Sequence, residues 1–167
     1  MIMKQAELNE ILIKHRKWLN GEDGGERANL SGVDLSDINL RGRNLNFINL
    51  SGVTGLINPI DYLAEHFERT DEGYIVYKCF NGFYRAPERW EIVDGEIIEE
   101  EVNYNRTNDC GCGINVAPLE WVKNHYRDEE IYKLLIKWAW LPGVVVPYNT
   151  DGKIRCARAQ IIGKVEG

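Results

Sequence analysis

Residues 27–52 read RANLSGVDLSDINLRGRNLNFINLSG and place a leucine at every fifth position. An α-helix repeats about every 3.6 residues and a strand about every two, so neither element explains this period. An Asn or Asp precedes every leucine, and the residue two places before the leucine is aliphatic in all repeats except the one with Arg43. The pattern predicts a chain that turns once per repeat and directs its leucines to one interior.

The segment resembles the pentapeptide-repeat family, whose motif centres on A(D/N)LXX. The resemblance implies a right-handed β-helix with a square cross-section, in which each repeat forms one side and four repeats complete a coil. We expect the Asn or Asp and the last two residues of each repeat at the corners, where side-chain oxygens and glycine favour turns. Arg43 takes an inward position, so its corner should be open or at the edge of the stack.

The flanks of the repeats predict the rest of the fold. Five repeats make little more than one coil, and a solenoid needs several stacked units, so neighbouring elements must cap it. An apolar stripe at helical spacing predicts a capping helix near the N-terminus, and residues 1–57 are predicted as one unit. Residues 58–167 are predicted as a mixed, mainly antiparallel α+β domain with short helices, including a helix capped by Asn58 and a hairpin at Asp94–Gly95.

Composition limits the classes of partner. The chain has 167 residues and a formal net charge of -6, which disfavours direct binding to nucleic acid or anionic membrane. It has no apolar run of about 18 residues that could span a bilayer. The N-terminal segment is amphipathic and interrupted by charges, so we expect no export signal and a cytoplasmic protein.

The four cysteines are candidate metal ligands. Without an export signal, thiols or metal ligands are expected rather than disulfides. Cys110 and Cys112 flank a single glycine, so both sulfurs could face one ion; Cys79 and Cys156 would complete a closed, structural zinc site, with His125 as a substitute ligand. The alternative is ordinary packing, with Cys79 and Cys156 as small buried hydrophobes.

Three other sets of side chains could take part in catalysis or binding. Cys110 and His125 could serve as nucleophile and base. An acidic run with Glu96, Glu99 and Glu101 could protect an exposed edge or act as a DNA mimic toward the basic groove of a nucleic-acid enzyme. Basic side chains could form an anion or nucleotide pocket of a nucleotide- or nucleic-acid-modifying enzyme, or a solvated face: Arg85, Arg89, Lys153, Arg155 and Arg158.

A second resemblance covers the C-terminal part. The stretches GYIVYKCF, CGCGINV and VVVPYNTDGKIRCARAQIIG, at 73–80, 110–116 and 144–163, resemble an uncharacterised domain of small phage and prophage proteins that often follows pentapeptide repeats. The chain has no Walker motif or Rossmann fingerprint. The resemblance implies a non-enzymatic phage protein that binds and inhibits a host protein complex, such as a Cas nuclease, as anti-CRISPR proteins do.

Overall fold

The computed structural model describes residues 2–82 and 85–166. They form an α+β fold with mainly antiparallel sheets and short helices, as the sequence predicts. The chain divides into two compact units. Unit 1 comprises Met1–Ile57, Arg106–Asp109 and Pro147–Asp151, and unit 2 comprises the remainder. No helix among the described residues has the length and apolar character needed to cross a membrane.

Each repeat of unit 1 ends in the same turn. The Asn or Asp side chain accepts a hydrogen bond from the backbone N–H two residues later, and the leucine carbonyl accepts one from the N–H three residues later. These bonds satisfy the corners locally, as predicted for this residue pattern. They free the leucines to point inward, and four of them are buried: Leu30, Leu35, Leu40 and Leu45.

The repeat segment pairs with itself after twenty residues. Asn29 forms a parallel bridge to Asn49, and Asp34 forms one to Thr54. Backbone hydrogen bonds of 2.9 Å join Leu30 N to Asn49 O and Leu35 N to Thr54 O. Twenty residues correspond to four repeats, so the first repeats and the last ones supply hydrogen-bond partners to each other.

The helix α1, Gln5–Leu19, packs Leu8 against the leucine cluster of the repeats. The Arg43 corner is covered from another part of the sequence. The Arg43 side chain is exposed, and its carbonyl accepts a 2.7 Å hydrogen bond from Asn149 Nδ2, while Gly42 N donates to Asn149 O. The segment Pro147–Asp151 therefore satisfies the corner that the sequence predicts to be open.

Unit 2 contains two antiparallel sheets. Its elements are α2 (Pro59–His66), β1 (Glu68–Arg69), β2 (Gly73–Cys79), β3 (Ile97–Glu99), β4 (Ile114–Val116), α3 (Leu119–His125), β5 (Ile131–Lys137), a 3₁₀ helix (Trp138–Gly143), β6 (Val144–Val145), β7 (Ile154–Cys156) and β8 (Arg158–Lys164). The strand orders are β1-β2-β5-β8-β3 and β4-β7-β6. Asn58 caps α2 by accepting a hydrogen bond from Ile60 N, as predicted.

The predicted hairpin at Asp94–Gly95 is wrong. The turn is present, but β3 pairs with β8 rather than with the residues before the turn. Pairing with β8 places Ile98 opposite Ala159, and both are buried. The burial of apolar surface in the larger sheet outweighs the local hairpin signal.

His15 joins α1 to two repeats. Its side chain is 1 % exposed. Ala28 N donates a hydrogen bond to His15 Nδ1 at 3.2 Å, and Nε2 lies 2.9 Å from the carbonyl oxygen of Asn46. Since Nδ1 accepts, the proton is on Nε2 and is donated to Asn46. One neutral imidazole therefore satisfies two backbone groups of the repeat segment.

We expect His15→Phe to lower the free energy of unfolding by about 1 to 3 kcal/mol. The phenyl ring retains the ring volume but leaves the Ala28 N–H buried without a partner. Urea unfolding followed by circular dichroism measures the change. His66→Phe, at an exposed histidine of α2, is the matched control and should change stability by less than about 0.5 kcal/mol. Equal effects of both substitutions would contradict the bridging role.

Candidate functional site

A cavity of about 450 Å³ lies in unit 2. Its walls come from the end of β2, the loop 110–113, β4, the middle of α3 and the residue that follows it, the segment 85–90 and Lys153. This volume lies within the range of small-ligand sites, and the lining combines aromatic, cationic and thiol side chains. Among the described cavities it is the one that contains several residues expected from the sequence to carry chemistry.

Asn115 shapes the loop that forms one wall. Its Nδ2 donates to Gly111 O at 3.2 Å and to Gly113 O at 3.1 Å. Gly113 has a φ of 124°, and a Cβ at this position would lie 3.0 Å from Val102 Cγ2. The glycine is thus needed both for the backbone conformation and for the close approach of Val102. The CGCG sequence forms a tight turn that is held by an amide from the following strand.

The structure brings three of the four cysteines to the cavity. Cys79, Cys110 and Cys112 line it, the first buried and the other two exposed. Cys156 is buried in β7 opposite Ile114, and its thiol donates to Ile114 O at 3.7 Å. The proposed substitute ligand, His125, is exposed on α3, where its ring stacks on Trp121 and Nδ1 donates to the Trp121 carbonyl.

The protonation of the buried thiols bears on the predicted zinc. Burial raises the pKa of Cys156 to about 12 and raises the pKa of Cys79 as well. Zinc binds thiolates, so both shifts oppose ligation in the metal-free protein. Among the described residues, no group of three or more His, Cys, Asp or Glu side chains is placed to hold a metal ion. A structural zinc stays a prediction.

No family model, curated protein or solved structure matches this chain. The resemblances to pentapeptide-repeat proteins and to the phage domain therefore depend on the sequence stretches themselves. The functional assignment therefore depends on the side chains that the fold brings together.

The five basic residues that could form an anion pocket or a solvated face lie in different environments. Arg85 and Lys153 line the cavity, and the Lys153 ammonium donates to Cys110 Sγ at 2.6 Å. Arg155 is 0 % exposed and donates to the carbonyl oxygens of Asn103 and Asn105, so it holds a loop in place. The remaining two form ion pairs: Arg89 pairs with Glu100, which lines the cavity, and Arg158 pairs with Glu99, which does not.

Lys78 is a cavity residue that the sequence did not single out. It lies on β2, is partly buried, and donates to the carbonyl oxygen of Asn115 at 3.2 Å. Burial lowers its pKa; the neighbouring thiols Cys156 and Cys79 oppose this effect, and the positive charge of Lys153 adds a smaller lowering. The sequence indicates Lys78 only through its place in the apolar strand YIVYKCF, because a lysine in such a strand is expected either to pair with another group or to belong to a binding site.

A second candidate site lies in unit 1, around Phe47. Phe47 has a φ of 63° and is 67 % exposed. Its ring lies edge-on to Trp18 with centroids 6.4 Å apart, and Arg27 both donates from Nε to the Phe47 carbonyl at 2.7 Å and lies 5.8 Å above the Trp18 ring. We call Trp18, Arg27 and Phe47 the aromatic surface. The sequence signal for it was a Phe at the repeat position that holds glycine in three other repeats.

Thiol labelling tests the placement of the cysteines. We expect iodoacetamide to modify Cys110 and Cys112 in the native protein, because both are exposed. Cys79 and Cys156 should react only after unfolding, because they are buried and their raised pKa values leave little thiolate. Mass spectrometry of tryptic peptides measures the sites. Protection of all four thiols that is relieved by a chelator would instead support the four-cysteine zinc site.

Proposed function

We propose that this protein is a non-enzymatic interaction protein that docks onto another protein through the aromatic surface of unit 1. The observation that carries the proposal is the exposed Phe47 side chain on a left-handed backbone. The left-handed conformation destabilises a bulky residue by about 1 to 2 kcal/mol. A phenyl ring that stays exposed to water does not offset this cost by hydrophobic burial. Strain of this kind concentrates at functional positions.

The other repeats show what the fold prefers at this corner. Gly32, Gly42 and Gly52 occupy the equivalent position with φ of 67–70°. Glycine adopts this conformation without steric cost. The repeat architecture thus does not need a phenylalanine at residue 47, and its presence is better explained by contact with a partner.

The surface has the composition of a binding hot spot. Trp, Arg and aromatic residues carry a large share of the binding energy at protein interfaces. Trp18 is held in place because its ring stacks on the buried His15 at a centroid distance of 5.5 Å. Phe47 is an anchor for an apolar pocket, and Arg27 beside it would pair with a carboxylate at the pocket rim. The proposed partner is accordingly a folded protein with an apolar pocket bordered by an acidic side chain.

The sequence resemblances supply the wider proposal. We propose that the repeats form about one coil of a pentapeptide-repeat β-helix, which is supported by the parallel bridges between residues twenty apart. With the phage-like C-terminal stretches, this favours a phage protein that inhibits a host protein complex, for example a Cas nuclease, in the host cytoplasm.

The two alternatives have less support. A nucleotide-modifying enzyme is predicted to have Arg85, Arg155 or His125 lining one pocket; Arg85 lines the cavity, whereas Arg155 binds backbone carbonyls and His125 is exposed on α3. A DNA mimic needs unpaired carboxylates in the run 96–101, and Glu99 and Glu100 are neutralised by ion pairs.

Phe47→Gly separates stability from binding. We expect the free energy of unfolding to stay within about 1 kcal/mol of the original value or to rise, because relief of the left-handed strain offsets the greater chain entropy of glycine. A loss above about 2 kcal/mol in urea unfolding would show that the ring stabilises the fold, and would remove the argument from strain.

Binding is tested by affinity capture from a bacterial host lysate with quantitative mass spectrometry, followed by reconstitution with the purified partner. A genuine partner should bind the unmodified protein and be lost with Phe47→Gly and Trp18→Ala. Ile60→Ala is the matched control, because Ile60 is an exposed apolar residue of unit 2 at 74 %. A reconstituted partner that binds all variants equally would contradict docking through the aromatic surface.

A further inference from the structure

The cavity of unit 2 contains a lysine without a carboxylate. The four ion pairs that join described residues do not include Lys78. An ammonium has three donor hydrogens, and the hydrogen bond found for Lys78 goes to a neutral carbonyl. Buried charges are ordinarily paired. The charge of Lys78 therefore calls for an anion from outside the chain.

The net positive charge of the cavity lining also favours an anionic ligand. Lys78, Arg85 and Lys153 contribute positive charge, and Glu100 is the carboxylate among the lining residues. Glu100 is already satisfied, because Oε2 pairs with Arg89 and Oε1 accepts from Glu101 N. A positive cavity in a chain with a net charge of -6 is not a result of overall composition.

Two polar atoms of residues that line the cavity lie below its surface and have no hydrogen-bond partner in the described part of the chain. Trp121 Nε1 and Asn115 Oδ1 are buried and have no hydrogen-bond partner among the described residues. One is a donor and the other an acceptor, and each unsatisfied atom costs about 1 to 3 kcal/mol. Their positions are constrained: Asn115 Nδ2 is committed to the glycine turn, and a Cβ on Gly152 would lie 2.6 Å from Trp121 Cδ1.

The walls suit a flat group. Four aromatic side chains line the cavity: Tyr77, Trp90, Trp121 and Tyr126. Trp121 is held by stacking on His125 at a centroid distance of 3.7 Å, and Trp90 is held by its Nε1 hydrogen bond to Glu99 O. Rigid aromatic walls favour planar, unsaturated rings, for which offset stacking adds to apolar burial.

We infer that this cavity binds a small anion with a planar heteroaromatic ring, of the mononucleotide class. The anionic group would lie at Lys78 and Lys153, and the ring would lie between the aromatic walls. The inference concerns binding alone and is independent of docking through the aromatic surface.

Isothermal titration calorimetry with AMP, GMP, CMP and UMP tests the inference on the full chain. We expect at least one of them to bind once per chain with a dissociation constant below about 1 mM. The matching nucleoside, which supplies the ring alone, and inorganic phosphate, which supplies the anion alone, should each bind at least about tenfold more weakly. Absence of saturable binding by all four nucleotides, or phosphate binding as tight as that of the nucleotide, would overturn the inference.

Two variants separate ligand contacts from folding. Lys78→Met should weaken nucleotide binding about tenfold or more, the effect of losing one charge-assisted hydrogen bond. Trp121→Phe shortens one aromatic wall and removes a buried unpaired donor, so binding should weaken while the melting temperature is unchanged or higher. The control is Lys164→Met, at an exposed lysine that pairs with Glu130 away from the cavity. Unchanged affinity in both cavity variants would contradict the inference.

Discussion

Unit 1 depends on hydrogen-bond partners for the backbone of five consecutive five-residue turns, which have few backbone neighbours of their own. In a longer repeat array the neighbouring repeats would pair with them and cover the leucines. Here other parts of the chain replace them. The His15 imidazole bonds two of the repeats, Met3 N donates to Asp34 O, and Asn149 covers the Arg43 corner. The leucine cluster is closed by α1 and by Tyr148.

This dependence explains why unit 1 draws on distant sequence. Residues 106–109 and 147–151 interrupt unit 2 but belong to unit 1, where Arg106 Nη2 donates to Ile57 O at 2.5 Å and stacks on Tyr148. The repeats are then rigid enough to hold Phe47 in a conformation that its side chain disfavours. A rigid scaffold that presents a strained, exposed aromatic side chain keeps that side chain preorganised for a partner, which lowers the entropic cost of association.

Unit 2 uses its polar residues in two different ways. Arg155 and the amide nitrogen of Asn115 donate hydrogen bonds to backbone carbonyl oxygens. They therefore stabilise loops and are not available to bind a ligand. Lys78 lines the cavity and donates to one carbonyl but forms none of the ion pairs among the described residues, and Trp121 Nε1 and Asn115 Oδ1 are buried without a hydrogen-bond partner there. Arg155 and Asn115 Nδ2 therefore stabilise the fold, whereas Lys78 is available to a ligand. The amino-acid composition alone does not distinguish these two roles.

The sequence by itself determined the elements whose causes are local. The five-residue period, the Asn or Asp at each corner and the Asn58 cap were read correctly because each depends on hydrogen bonds between residues two or three apart. Only the tertiary structure decided what long-range pairing controls. In the structure β3 pairs with β8 and not in a local hairpin, and Arg155 donates to backbone carbonyls and does not line the cavity. Cys156 lies outside the cavity lining that contains the other three cysteines, and Lys78 donates to the carbonyl of Asn115. These outcomes depend on which strands compete for burial across tens of residues, and no spacing along the chain encodes that competition.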